Sequence, residues 1–187
     1  MIRITLLLLV LTSCGFQSLP QSQNEVEAGW AEVLNQYKRR ADLIPSIVET
    51  VKGYASHEKE TLMGVIEARA NATKVTLNVD QLTPETMKQF EKAQQGLAGA
   101  LSRLMMVSER YPDLKANQNF RDLQIQLEGT ENRISTARTR YIEVIKGFNN
   151  LVTVPPTSWT NSVFYKFDKK PQFSADASVE KVPEIKF

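Results

Sequence analysis

The sequence predicts an all-α protein: a long antiparallel helical bundle of three to four helices with an irregular, aromatic C-terminal tail. Three observations predict it. Apolar residues recur at spacings of three and four over most of the 187 residues, the period of one helix face. No strand-like alternation competes before the tail. The stretches that interrupt the pattern are short, and short connections make consecutive helices antiparallel neighbours.

The amino terminus stands apart from that pattern. Met1, Ile2 and Arg3 form a positively charged start, residues 4–11 are apolar apart from Thr5, and the small residues Thr12 and Ser13 precede Cys14. This is the layout of a secretory signal peptide. The run is far short of the ~20 apolar residues that span a bilayer. "LTSC" resembles the bacterial lipobox, in which cleavage before the cysteine leaves a thiol and an amine to carry acyl chains. Each buried methylene contributes about 0.8 kcal/mol, and two or more chains hold a protein stably. Cys14 is also the only cysteine, so it has no disulfide partner within the chain. Residues 1–13 therefore read as a lipoprotein signal and 14–24 as a lipidated, polar tether. Gly15, where an inner-membrane lipoprotein commonly carries aspartate, points to the outer membrane. The expected location is the extracytoplasmic face of a bacterial envelope.

From residue 25 to 152 the bundle follows. Trp30, Val33, Leu34, Tyr37, Ala41, Ile44, Val48, Val51, Ala55, Leu62, Val65, Ile66 and Arg69 keep one face, and the phase survives Pro45. Proline lacks an amide donor and crowds the preceding turn, so a kink or break is expected there. One bent helix or two helices would fit, with Asp42 as a cap for the second. Thr83-Pro84 begins the next helix, a hydroxyl cap followed by proline at the first helical position. Its stripe is Met87, Phe90, Gln94, Leu97, Leu101, Leu104, Ser108 and Tyr111. Pro112 ends it. Asn117 or Asn119 caps the last helix, whose stripe is Phe120, Leu123, Leu127, Thr130, Ile134, Ala137, Tyr141, Val144, Phe148 and Leu151. Gly96 and Gly99 read as points of close helix packing.

Residues 153–187 change character, with four of the eight prolines and many aromatics. They are too apolar for a simple disordered tail. Two readings stand: the aromatics wrap the end of the bundle, or Trp159, Phe164, Phe167 and Phe173 dock a partner.

Composition excludes several functions. A net charge of +2, from 23 basic and 21 acidic residues, gives no footprint for nucleic acid. A single histidine, His57, rules out a multi-histidine metal centre. His57 falls in "YASHEKE", read as a solvated helix face. A zinc-protease motif would need histidine at position 61, which is threonine. No glycine-rich phosphate loop and no nucleophile with a supporting acid stand out. Polar residues do enter the stripes. Gln94 falls level with Leu62 if one turn centres on Asn78, and with Ile134 if the next centres on Leu114. Glu58 and Thr130 lie about a turn away. Such a layer fixes register at a cost in stability, or it lines a ligand site.

Three long stretches carry a family resemblance: "ADLIPSIVETVKGYASHEKETLMGVIEARANAT", "ERYPDLKANQNFRDLQIQLEGTENRISTARTRYIEVIKGFN" and "KKPQFSADASVEKVP". They resemble the LemA family over about residues 24–187. The resemblance implies a bacterial, membrane-attached helical protein and supplies no catalytic set. Many relatives resemble single-span proteins with a longer N-terminal apolar helix, from which this lipobox departs. Within "EGTENRI", Glu131 and Arg133 are expected to pair across the bundle with Lys59, Glu67 or Arg69. The functional expectation is a non-enzymatic scaffold or adaptor, held to the membrane through acylated Cys14 and binding envelope proteins, with no cofactor, metal or nucleic acid. The alternatives are a membrane-surface structural protein, or a small-ligand binder or enzyme built on Glu58, Gln94 and Thr130.

Overall fold

The computed structural model describes the backbone of residues 2–173 and the side chains of residues 16–173. Cys14 and Gly15 lie outside the described side chains, and so do Phe187 and the rest of residues 174–187. All regular elements among the described residues are helical. In order they are α1 (Ile2–Tyr54), α2 (Lys59–Lys74), a 3-10 turn (Val79–Gln81), α3 (Pro84–Ser108), α4 (Pro112–Ala116), α5 (Gln118–Thr153) and α6 (Thr157–Thr160). A π turn (Asn161–Tyr165) closes the series.

The long helices pack antiparallel. Gly29 approaches Tyr141, Arg40 pairs with Glu131, and Asn117 donates to Tyr54 Oη, so α1 and α5 run in opposite directions along most of their length. Likewise Gln94 of α3 reaches the Ala72 carbonyl of α2, while Arg110 reaches Glu58. The core divides into two clusters. One gathers Ile44, Val51, Val65, Leu97, Leu104 and Phe120. The other gathers Val26, Trp30, Phe90, Tyr141, Phe148 and Phe173.

Two of the expected caps form, whereas Asp42 starts no helix because α1 continues through it. Thr83 Oγ1 accepts from the Thr86 amide, and Asn117 Oδ1 accepts from the Phe120 amide at 2.9 Å. Both satisfy donors that a helix start leaves free.

Several expectations change. Pro45 does not break α1, which is one helix of 53 residues containing both Pro20 and Pro45. The chain reverses instead at residues 55–58, so His57 lies in a turn and not on a helix face. Periodicity missed that turn because Ala55 and Leu62 are both buried and stay seven apart. Residues 16–24 continue α1, with Leu19 and Ser22 buried, where the sequence suggested a polar tether. A Cβ at Gly96 or Gly99 would meet open space, so neither marks close packing; at Gly29 it would make ordinary van der Waals contact with Tyr141.

The two prolines share a physical solution. Each removes the amide that would bond the carbonyl four residues earlier. For Pro45 that carbonyl belongs to Ala41, and Arg69 Nε of α2 donates to it at 2.8 Å. For Pro20 it belongs to Phe16, and the Tyr165 hydroxyl donates to it at 2.9 Å. Other elements thus supply the donors that α1 lacks.

The C-terminal segment is more regular than expected. After the cis Pro155–Pro156 bond it forms α6 and the π turn, then reverses at Lys166, the one described non-glycine residue with positive φ. Two asparagines clasp the chain beyond that reversal. Asn161 bonds both the carbonyl and the amide of Phe167. Asn149 does the same for Lys170. Phe173 then enters the core beside Trp30 and Tyr141, with the Arg138 guanidinium over its ring.

Candidate functional site

The polar residues predicted inside the helices resolve into two separate places. Arg40, absent from the sequence-based expectations, is the centre of the first. It is 2 % exposed and sits between the two apolar clusters. Its Nη1 donates to Glu131 Oε1 at 2.8 Å. Its Nη2 donates to Gln94 Oε1 at 2.6 Å and to the Gln94 carbonyl at 3.3 Å. The Gln94 amide nitrogen then donates to the Ala72 carbonyl. One guanidinium and one amide therefore join α1, α2, α3 and α5. Arg40 also lies over the Tyr37 ring, 5.1 Å from its centroid. A second pair, Arg138–Glu91, joins α5 to α3 nearby at 3.6 Å.

Thr130 is fully buried beside Glu131 on α5, and its hydroxyl donates to the Gln126 carbonyl of its own helix. Glu58 is not in this layer. It precedes α2 and accepts from Arg110 Nη2 at 2.9 Å and Tyr111 Oη at 3.2 Å. Arg110 lies just past the end of α3, whose last residue Ser108 is fourteen beyond Gln94, about 21 Å along the helix axis. The turn between α2 and α3 also differs from expectation. Residues 75–83 run along α1, where Trp30 Nε1 donates to the Leu77 carbonyl at 2.6 Å. That brings Gln94 level with Ala72 instead of Leu62. Glu131 pairs with Arg40, not with Lys59, Glu67 or Arg69.

Arg40 could have been found. It lies three after Tyr37 and four before Ile44, in phase with the buried stripe. Position alone places it inward, although an arginine is rarely found enclosed unless it is paired.

Beside the layer, α1 and the end of α2 border a recess of about 330 Å³ lined by Leu34, Tyr37, Asp42, Ala72, Phe90 and Gln94. Burial raises the Tyr37 phenol above its ordinary range, against the pull of Arg138 and Arg40. Among the described residues, no three His, Cys, Asp or Glu side chains gather where they could hold a metal ion. His57 is exposed.

The four aromatics proposed for docking divide. Phe173 is buried and Phe167 is half-buried against Phe148. Trp159 and Phe164 are 67 % and 61 % exposed, and Val163 between them is also open. Phe164 stands 4.8 Å from the ring of Phe16, the first described side chain of α1. No described helix is long and apolar enough to cross a membrane.

The model of the LemA family matches residues 29–187, which include α1 from Gly29, the polar layer and the whole C-terminal segment. The chain belongs to the LemA family. A relative named Protein LemA, from Metamycoplasma hominis (strain ATCC 23114 / DSM 25592 / NBRC 14850 / NCTC 10111 / PG21), is 27 % identical over 150 residues. That alignment takes in 80 % of this chain and 64 % of the relative, so the chain spans somewhat less than two thirds of the relative's length. The LemA match covers Arg40, Gln94 and Glu131 alike, along with Pro45 and Arg69.

Proposed function

We propose that this LemA-family chain is a membrane-anchored scaffold or adaptor of the bacterial envelope, without catalytic activity of its own. A lipidated Cys14 holds it on the extracytoplasmic side, and its antiparallel helical bundle reaches away from the membrane. The observation that carries the reading is α1, which runs without interruption from the apolar N-terminal run to Tyr54. Anchor and body are then one lever. Ile44 lies thirty residues beyond Cys14, about 45 Å at 1.5 Å per residue. The far half of that lever carries α2 and α3, which expose Met63, Ile66 and Met106. Exposed methionines adapt readily to a protein partner.

The small-ligand reading draws on the recess beside Gln94. Its weakness is that the Gln94 oxygen and nitrogen already bond Arg40 and Ala72. Neither is free to meet a ligand without breaking the join between helices.

The test is crosslinking in cells from photoreactive residues placed at Met63 and Met106, compared with a Met63→Ser/Met106→Ser variant. Specific envelope proteins captured at those sites, and lost in the variant, are the expected result. Capture of nothing specific from either site would remove the adaptor reading. In parallel, mass spectrometry of the N-terminal peptide should find acylated Cys14 at the mature terminus. Cys14→Ser should leave the leader uncleaved and unmodified. An unmodified Cys14 in the native protein would sink the lipid anchor.

A further inference from the structure

We infer that Phe16, Trp159, Val163 and Phe164 form a membrane-interface seat, resting in the lipid headgroup region beside the anchor. The inference deepens the proposed function and rests on its membrane attachment. It starts from Pro20. That proline leaves the Phe16 carbonyl without its intrahelical donor, and the Tyr165 hydroxyl takes it at 2.9 Å. The bond pins the π turn to the base of α1, and the Phe16 and Phe164 rings meet at 4.8 Å. Tyr165 also lies edge-on to Phe16 and stacks on Phe167, which packs on Phe148 of the core. The turn is thus fixed from behind while its outer side chains stay open.

Those side chains are the wrong type for open water. Trp159 and Val163 are four apart, one helical turn, and both are about two-thirds exposed. Phe164 is nearly as open, and Phe16 is 41 % exposed. Together with Lys166 they place three large rings, a branched apolar side chain and a cation at one end of the molecule. Tryptophan with a neighbouring cation is the composition of membrane–water interfaces.

Position decides the occupant. Phe16 follows Cys14 by two residues in the same helix, about 3 Å along its axis. An anchor on Cys14 brings lipid to the level of this cluster before any other part of the body. A protein partner for the same patch would have to enter between the body and its own anchor. The seat would hold α1 at a fixed attitude to the surface, which an acyl chain alone does not do.

The experiment uses the full chain, acylated and reconstituted in vesicles of phosphatidylethanolamine and phosphatidylglycerol, with and without brominated acyl chains. Trp159 and Trp30 are the two tryptophans. Trp30 is buried, fourteen residues farther along α1 than Phe16, about 21 Å from the base. Brominated lipid should quench most of the Trp159 emission and leave that of Trp30. Trp159→Phe should abolish the quenched component, and Phe16→Ser/Phe164→Ser should reduce it while far-ultraviolet dichroism stays native. Flotation of the protein with vesicles, but with Trp159 reached by aqueous iodide and not by bromolipid, overturns the seat and leaves the anchor standing. Failure to float overturns both.

Discussion

Arg40 is charged, almost fully enclosed, and held by oxygens from two helices, Glu131 of α5 and Gln94 of α3. The cost of such a group depends on whether its partners are present. Gln94→Leu deletes the side-chain acceptor and leaves the Ala72 carbonyl without its donor. It should destabilise the chain by about 1–3 kcal/mol, read by urea unfolding. Adding Arg40→Met to that variant should recover much of the loss, because apolar packing of similar volume often replaces a buried charge well. Equal instability of the double variant would mean that the layer does more than set register. Tyr141 gives a second prediction at this scale. Its ring is enclosed by Trp30 and Phe173, and burial holds its phenol well above the ordinary value of 10.0. Burial here disfavours the charged phenolate, so the folded pKa is raised. Its contribution to stability is intact below about pH 10 and lost as pH rises beyond it. Urea unfolding at increasing alkaline pH should show stability falling above that point, and falling less in Tyr141→Phe.

Among the elements, α1 would be expected to fail at its prolines. It survives because Arg69 and Tyr165 donate to the two carbonyls that Pro45 and Pro20 leave free. Arg69→Met should therefore cost about 1–3 kcal/mol in the native sequence, the penalty of a buried acceptor left unpaired. Combined with Pro45→Ala, which restores the intrahelical donor, the same substitution should cost clearly less. A double-mutant cycle on thermal or urea stability measures the difference, and additive effects would refute the coupling. The legibility of these elements in the sequence has the same basis. The caps at Thr83 and Asn117 were readable because capping needs only neighbours in sequence. The intact passage through Pro45 was not, because its donor lies in another helix. The turn at residues 55–58 carried a weak signal in Lys52 and Gly53, a cation and a glycine at the helix end. The unbroken apolar phase hid it.

Across the molecule, the C-terminal segment is both a structural strap and an exposed end. Asn161 and Asn149 clasp its backbone, and Phe173 completes the core around Trp30. Phe173→Ala should lower stability by about 3–5 kcal/mol, as for other buried phenylalanines. Trp159→Ala should change it by less than about 0.5 kcal/mol, as for a surface position. Thermal melts of the two variants check this, and similar losses in both would show that Trp159 is packed. The contrast matters for function. A variant that removes Phe173 would confuse a folding defect with a binding defect, whereas Trp159 and Phe164 are clean probes of the exposed end.

The helical class, the caps, the aromatic composition of the C-terminal segment and the residues that carry the LemA resemblance were all readable from the order of amino acids. Each of these is local, a matter of period, neighbour or order along the chain. The same reading placed Gln94 and Thr130 in the buried stripes. Packing in three dimensions was needed to learn that Arg40 and Gln94 together join four helices, that Glu58 belongs to a different corner, and that Phe167 and Phe173 turn inward while Trp159 and Phe164 stay out. It was needed, too, for the accommodation of two prolines within one helix. The physical reason is common to all four. Each depends on where a hydrogen-bond partner or an apolar surface from a distant segment arrives, and periodicity along one helix carries no record of that.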